Sequence, residues 1–268
     1  MRSRSVTLAD LAASLERIGV RRLYLTPRLR ESLSAERSTM PSSPKPNAGT
    51  KPQPFIRDPR RADPKTVAEK AGKLKELEEP LKSCQACRLC SGRTNLVYAD
   101  GNPDADLMFV GEGPGHDEDK QGVPFVGRAG QLLTDMIVKG MRIRREDVYI
   151  ANIVKCRPPE NRNPEADEMA ACLPNLLKQI GIVKPKVIVT LGAVPARALL
   201  NQRTGITRLR GAWLSFDGIP VMPTLHPAYL LRNPAAKKDA WEDLKQVIAF
   251  LNGELAPPVQ GGRSPSLF

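Results

Sequence analysis

Two histidines, five cysteines and a glycine- and acid-rich stretch are where chemistry concentrates in these 268 residues. The stretch Gly111-Glu112-Gly113-Pro114-Gly115-His116-Asp117-Glu118-Asp119 follows the apolar run Asp106–Gly111. Its glycines let the backbone approach a ligand, with Glu112 pointing into the same space and Glu118 a second carboxylate in reach. It lacks the lysine of a phosphate-binding loop, and its acids repel phosphate, so it suits a base or a water better than a phosphate chain. Phe125 stands between turn residues in Gly122-Val-Pro-Phe-Val-Gly127, a stacking candidate or, equally, core. His226 follows another apolar run and could donate to developing negative charge. A lone histidine is more often structural, but both histidines here sit after strands. Beyond it, Tyr229, Leu230 and Leu231 could form an apolar wedge, with Arg232 on phosphate.

The cysteines form a second constellation. Cys84-x-x-Cys87 is followed by Cys90, then by Cys156 and Cys172 far along the chain. An odd number with no export signal speaks against a disulfide framework. Two close thiolates and two distant ones can converge on a tetrahedral ion or a cubane cluster. Spacing does not separate zinc from iron–sulfur, and Cys172 alone would read as core. Five candidates for four places leave one spare.

These residues need a scaffold, and the patterning supplies one. Short apolar runs at Asp106–Gly111, Asp147–Val154 and Lys186–Leu191 read as buried strands. Helices are expected over Gly130–Gly140, Pro164–Ile180, after Gly192 to Leu200, and Lys238–Leu251. Trp213–Phe216 and Ile219–Thr224 bracket Asp217-Gly218, a hairpin turn signal. Strands alternating with helices imply a mostly parallel α/β sheet covered on both faces, with ligands at the carboxyl ends of its strands. The sharpest loops, Gly111–Gly115, Lys155–Pro164 and His226–Arg232, all follow strands, so three distant segments are expected to build one site. Ahead of Cys84 lie an expected amphipathic helix over 6–25, a Pro-, Ser- and Lys-rich linker from 27 to 64, and a charged helix over Pro64–Lys82.

The formal net charge is +12, which fits a polyanionic partner. Residues 1–80 carry 17 Lys+Arg against 10 Asp+Glu, so the amino-terminal segment inflates a body that is only mildly basic. No apolar run approaches the roughly 20 residues of a membrane span. A cytoplasmic protein without a membrane partner is expected.

Together, CQACRLC, GNPDADLMFVGEGPGHDEDKQGVPFVGRAGQLL, YIANIVKCRPPENRNP, VTLGAVPARALL and HPAYLLR resemble the family 4, iron–sulfur uracil-DNA glycosylases. The resemblance runs from about Cys84 to Leu251, and all five segments occur in the family's order. It implies a three-layer α/β sandwich around a central, mostly parallel four-stranded sheet; composition sets the expected glycosylase domain, 65–255, apart from an extension (1–64) and a tail (256–268). It implies a [4Fe–4S] cluster on Cys84, Cys87, Cys156 and Cys172, with Cys90 outside the ligand set. It implies a uracil pocket of Gly111, Glu112, Gly113, Phe125, Asn152 and His226, with DNA contacts from Arg157, Tyr229, Leu230 and Arg232. Position 113 is glycine where other branches carry a catalytic Asp or Asn, so Glu112, His226 and, second in line, Glu118 are the catalytic candidates. A sister group traps DNA through a histidine in a basic insertion; Arg157-Pro-Pro-Glu-Asn-Arg-Asn-Pro164 has none, so no covalent trap is expected. The expected partner is uracil-containing DNA, bound by a monomer. The rivals are a non-catalytic iron–sulfur DNA-binding protein and a glycosylase for another deaminated base such as hypoxanthine.

Overall fold

Four apolar segments lie side by side because each is too uniformly hydrophobic to leave a face in water. In the computed structural model, which describes residues 63–201 and 204–256, they are β2 (Leu107–Gly111), β3 (Tyr149–Asn152), β4 (Val187–Leu191) and β6 (Ile219–Thr224). All four run parallel, in the order β3-β2-β4-β6. The expected helix over 6–25 lies outside the described residues, as do all but the innermost residues of the expected linker and tail.

The sheet has six strands rather than the expected four. β1 (Asp100–Gly101) pairs antiparallel with β3, and β5 (Leu214–Phe216) pairs antiparallel with β6. Both cover edges that the parallel core would otherwise leave open. The β5–β6 turn is the one its residues call for: Asp217 and Gly218 both take positive φ, 47° and 79°.

Alternate residues of each strand point to opposite faces, which makes three layers. Met108, Val110, Ala151 and Ile188 pack with Leu176, Ile180 and Val183 of α4 (Ala166–Val183) and Leu199 of α5 (Ala193–Leu200). Leu107, Phe109, Ile150, Val189 and Met222 pack with Leu133 of α3 (Arg128–Asp135) and Leu244 and Val247 of α8 (Lys237–Leu251). The expected Gly130–Gly140 helix starts earlier, at Arg128, and widens into a π-helical turn over Met136–Met141. Before the sheet, α1 (Pro64–Glu78) is capped by Asp63, which accepts from Lys65 N–H, and a tight turn over Glu79–Ser83 delivers the chain to Cys84.

Two segments expected as loops are short helices. α2 (His116–Gln121) is closed by Glu118, which reaches back to the Gly115 N–H, and ends where Gly122 takes φ 72°. α7 (Pro227–Arg232) starts with Pro227 after a His226 cap. At six residues each, neither is long enough to display a helical apolar period. A further turn, α6 (Ile206–Leu209), precedes β5.

Register fixes where chemistry can happen. Gly111 lies opposite Asn152, and Leu191 opposite Thr224, so the four parallel strands end together. Their following residues, including Glu112 and His226, emerge at one end of the sheet.

Candidate active site

A cavity of ≈ 520 Å³ opens at these strand ends. Glu112, Gly113, Glu118, Phe125, Asn152 and His226 line it, together with Tyr229 and Arg232. Gly111 lies in the wall behind: a Cβ there would come within 2.3 Å of Asn152 Oδ1 and 2.6 Å of Phe125 Cζ. Glycine is therefore required for the amide and the ring to close on the same spot.

Asn152 is 1% exposed, and its buried Oδ1 has no hydrogen-bond partner among the described residues. An orphaned acceptor costs roughly 1–3 kcal/mol, so a donor is expected to occupy that position in the working complex. Phe125 is buried beside it with φ 56°, a strained conformation for an aromatic residue. Its surroundings hold it there. Val126 and Gly127 donate N–H bonds to Glu118 Oε1 at 2.9 and 2.8 Å. Gly130 lies so close that a Cβ would meet the Phe125 carbonyl carbon at 1.9 Å.

Glu118 is thus occupied. Gly115 N–H donates to its Oε2 at 3.1 Å, so three backbone donors hold its carboxylate as a brace for the Phe125 loop. Glu112 differs. No side-chain hydrogen bond holds it among the described residues, and burial pushes its carboxyl up to about 7.

His226 caps α7: its Nδ1 accepts from Ala228 N–H at 3.1 Å. That bond fixes the tautomer, because a nitrogen that accepts carries no proton, and leaves Nε2 as the donor. Burial first, then Arg232, lowers its pKa to about 4, so the ring is neutral at pH 7. Its centroid lies 5.9 Å from that of Phe125. A flat apolar ring, a buried amide, a neutral N–H donor and a poorly solvated carboxylate thus share one cavity.

The mouth divides the other expected residues. Tyr229 is 39% exposed, and Arg232 is exposed without an ion pair among the described residues. Leu230 is 1% exposed and packs with Leu225 and Ala240, so it is a core residue and not a surface wedge. On a helix its side chain turns away from that of Tyr229, which the loop reading did not anticipate. Arg157 is engaged by Asn161 Oδ1 at 2.7 Å and by His116 Nδ1 at 3.1 Å. Arg128, exposed at the rim and without an ion pair among the described residues, was missed by sequence reasoning. It stands at the start of an ordinary amphipathic helix, with no signal to mark it.

Cys84, Cys87, Cys90, Cys156 and Cys172 line one shared void, and none of them is in a disulfide. Arg93 Nη1 lies 3.4 Å from Cys156 Sγ. Burial chiefly raises the Cys87 and Cys156 thiols; Cys172 and Cys84 add to it at Cys87, and Cys172 and Cys87 at Cys156. Among the described residues no three His, Cys, Asp or Glu side chains are placed to hold a single metal ion. The fully buried Glu168 accepts two bonds from Arg162, at 2.9 and 2.7 Å, and pairs with Arg88 at 3.1 Å, tying the cysteine loop to the cavity wall.

No helix among the described residues is long and apolar enough to cross a membrane. The family model described as the Uracil DNA glycosylase superfamily matches residues 98–245, which hold every cavity residue named above. A type-4 uracil-DNA glycosylase of Thermotoga maritima is 48% identical over 184 residues, covering 66% of this chain and 94% of the relative. That of Sulfurisphaera tokodaii is 46% identical, covering 65% and 83%. That of Archaeoglobus fulgidus is 38% identical, covering 73% and 97%. The chain belongs to the Uracil DNA glycosylase superfamily, and within it to the type-4 uracil-DNA glycosylases.

Proposed function

We infer that this protein hydrolyses the N-glycosidic bond of deoxyuridine in DNA, releasing uracil and leaving an abasic site. The observation that carries this reading is the buried, unpartnered Asn152 Oδ1 beside the Phe125 ring. Uracil offers N3–H to Oδ1 and O4 to the amide N–H; cytosine presents the reverse polarity at both positions. Arg128 and Arg232 at the rim suit phosphate contacts, and Tyr229 is the exposed side chain able to fill the gap left by a flipped nucleotide. The enzyme is expected to act as a monomer. Incubation with uracil-containing DNA followed by alkali should cleave the strand at the uracil. Intact DNA after alkali would favour a protein that only grips DNA, and greater excision of hypoxanthine would shift the substrate.

The chain's own groups account for the steps. Flipping costs a few kcal/mol, and Phe125 recovers part of it by stacking. As the C1′–N1 bond lengthens, charge grows on uracil O2, and neutral His226 donates Nε2–H to it without first losing a proton. Glu112, as carboxylate, offsets the cationic sugar and orients the attacking water. The proton of that water leaves through Glu112. Glu118 holds the Phe125 loop throughout.

The Glu112 role carries a pH signature. Its carboxyl is raised to about 7, so the single-turnover rate should climb as pH rises through 7. His226, at about 4, contributes no limb in that range. Glu112→Gln should be slow and flat across it while still binding uracil-containing DNA. Stability should move the opposite way. A carboxyl whose folded pKa lies above its ordinary 4.5 keeps its proton in the folded state, so folding weakens as pH climbs from 4.5 through 7. Gln escapes that loss, so the variant's Tm should match wild type near pH 4 and exceed it above pH 7. A fully active Gln variant would remove Glu112 from the mechanism.

The cysteine void fits a [4Fe–4S] cluster. Zinc draws its sulfurs to about 2.3 Å around a single point, whereas these five thiols surround a shared void, and among the described residues no three of them are placed to hold a single ion. We assign Cys84, Cys87, Cys156 and Cys172 as the ligands, with Cys90 the spare thiol of the same void. Those four would hold the cluster. When bound it would supply a cross-link between α4, the end of β3 and the loop ahead of β1, with no part in chemistry on the base. Purified protein should carry about four irons, and Ala at any of the four positions should remove them while Cys90→Ala should not. Stoichiometric zinc without iron would contradict the assignment.

A further inference from the structure

Between the two sites lies a cation with no carboxylate paired to it among the described residues. Lys155 is 2% exposed and among the largest fully buried side chains. Its Nζ donates to the Asn152 carbonyl at 2.9 Å and to Gln179 Oε1 at 2.6 Å, and lies 5.8 Å from the centre of the Tyr98 ring. Gln179, also fully buried, is held in turn by its Nε2 donating to Tyr149 Oη at 3.1 Å. No carboxylate pairs with Lys155 among the described residues. A buried ammonium facing only neutral oxygens and a ring is costly unless an anion stands near it. Lys155 also lines the cysteine void, directly before Cys156.

We propose that Lys155 is a positioning residue that joins the two sites, balancing the thiolates of the cysteine void on one side and pinning the end of β3 that carries Asn152 on the other. The idea rests on the cluster and uracil readings above. Four thiolates around a 2+ core leave about two negative charges. Lys155 and Arg93 are the two cations lining the void, and together they neutralise it. The same ammonium fixes the Asn152 carbonyl, and through it the direction of an amide whose Oδ1 has no hydrogen-bond partner among the described residues. Charge at the cysteine site is thereby linked to the geometry of base recognition.

The test uses iron-loaded protein and a short uracil-containing oligonucleotide. Lys155→Met should keep its iron but show a more negative cluster midpoint potential, because a positive charge has left its surroundings. Its single-turnover rate should fall about tenfold, the scale seen when an outer-shell partner is lost. Combined with Asn152→Ala, the two losses should not multiply, since both act through one amide. Lys155→Gln should show the same shift in potential but recover part of the rate, because its amide can still donate to the Asn152 carbonyl. If Lys155→Met does not fold, the Gln variant carries the comparison, with Gln179→Leu beside it. That change keeps the charge, so it should leave the potential near wild type while slowing excision. An unshifted potential in the uncharged variants, or losses that multiply with Asn152→Ala, would overturn the proposal. Wild-type protein lacking iron or uracil activity would instead overturn the readings on which it rests.

Discussion

His226→Ala should lower the single-turnover rate of uracil excision by on the order of 10²–10³, the effect of removing one oriented donor from a developing oxyanion. The loss should fall on the chemical step, because the imidazole starts neutral and would strengthen its hydrogen bond only as O2 becomes anionic. His226 also caps α7 through Nδ1, so Ala removes a helix cap as well, at a cost of about 1 kcal/mol in stability. The two roles separate with His226→Asn. Asparagine is a good cap whose side-chain oxygen can accept from Ala228 N–H, but it has no counterpart of Nε2–H facing the pocket. Melting temperature should therefore return toward wild type while the rate stays low. If Asn restored both, His226 would act by shaping the loop and not by donating to the leaving base.

Asn152→Asp should lower uracil excision roughly a hundredfold or more at neutral pH. The carboxylate would face uracil O4 in a dry site, and an unpaired buried charge costs about 3 kcal/mol or more. The loss should depend on pH in a definite direction. Burial raises the introduced carboxyl, and its protonated form again offers one donor to O4 and one acceptor to N3–H. The ratio of variant to wild-type rate should therefore rise as pH falls below neutral, even though protonation of Glu112 slows both proteins. A ratio constant between pH 5 and 8, or a variant as fast as wild type, would show that Asn152 does not read the base. Gly111→Ala is a steric companion to this test. Its Cβ would lie 2.3 Å from Asn152 Oδ1, so it should disturb recognition without changing any polar group.

Much of this was legible because strands and strand-end loops write local patterns. The runs at 106–111, 147–154 and 186–191 are apolar without alternation, which only burial on both faces explains, and the structure makes them parallel strands. A parallel sheet brings its carboxyl ends together, so the loops that follow Gly111, Asn152 and Thr224 could be placed at one site from sequence order, while Asn152 itself came from the family resemblance. The Asp217-Gly218 turn was equally determined, by two positions that tolerate positive φ.

What the residues are free to do was decided by tertiary contacts. Glu112 and Glu118 are both glutamates on one short stretch, and no sequence rule ranks them. Only folding shows three backbone N–H groups on Glu118 and, among the described residues, none on Glu112, which makes one a brace and leaves the other as the carboxylate we assign to the reaction. Tyr229 and Leu230 are neighbours, and a helix too short to show its period sends one to the surface and the other into the core. Lys155 reads as an ordinary solvated lysine until Gln179, from a helix distant in sequence, and the Asn152 carbonyl enclose it. Local periodicity is carried by side-chain type and spacing, so the sequence determines the elements and their order. Solvation and hydrogen-bond occupancy depend on atoms contributed by distant segments, and so the protonation, tautomer and availability of each group exist only once the chain has folded.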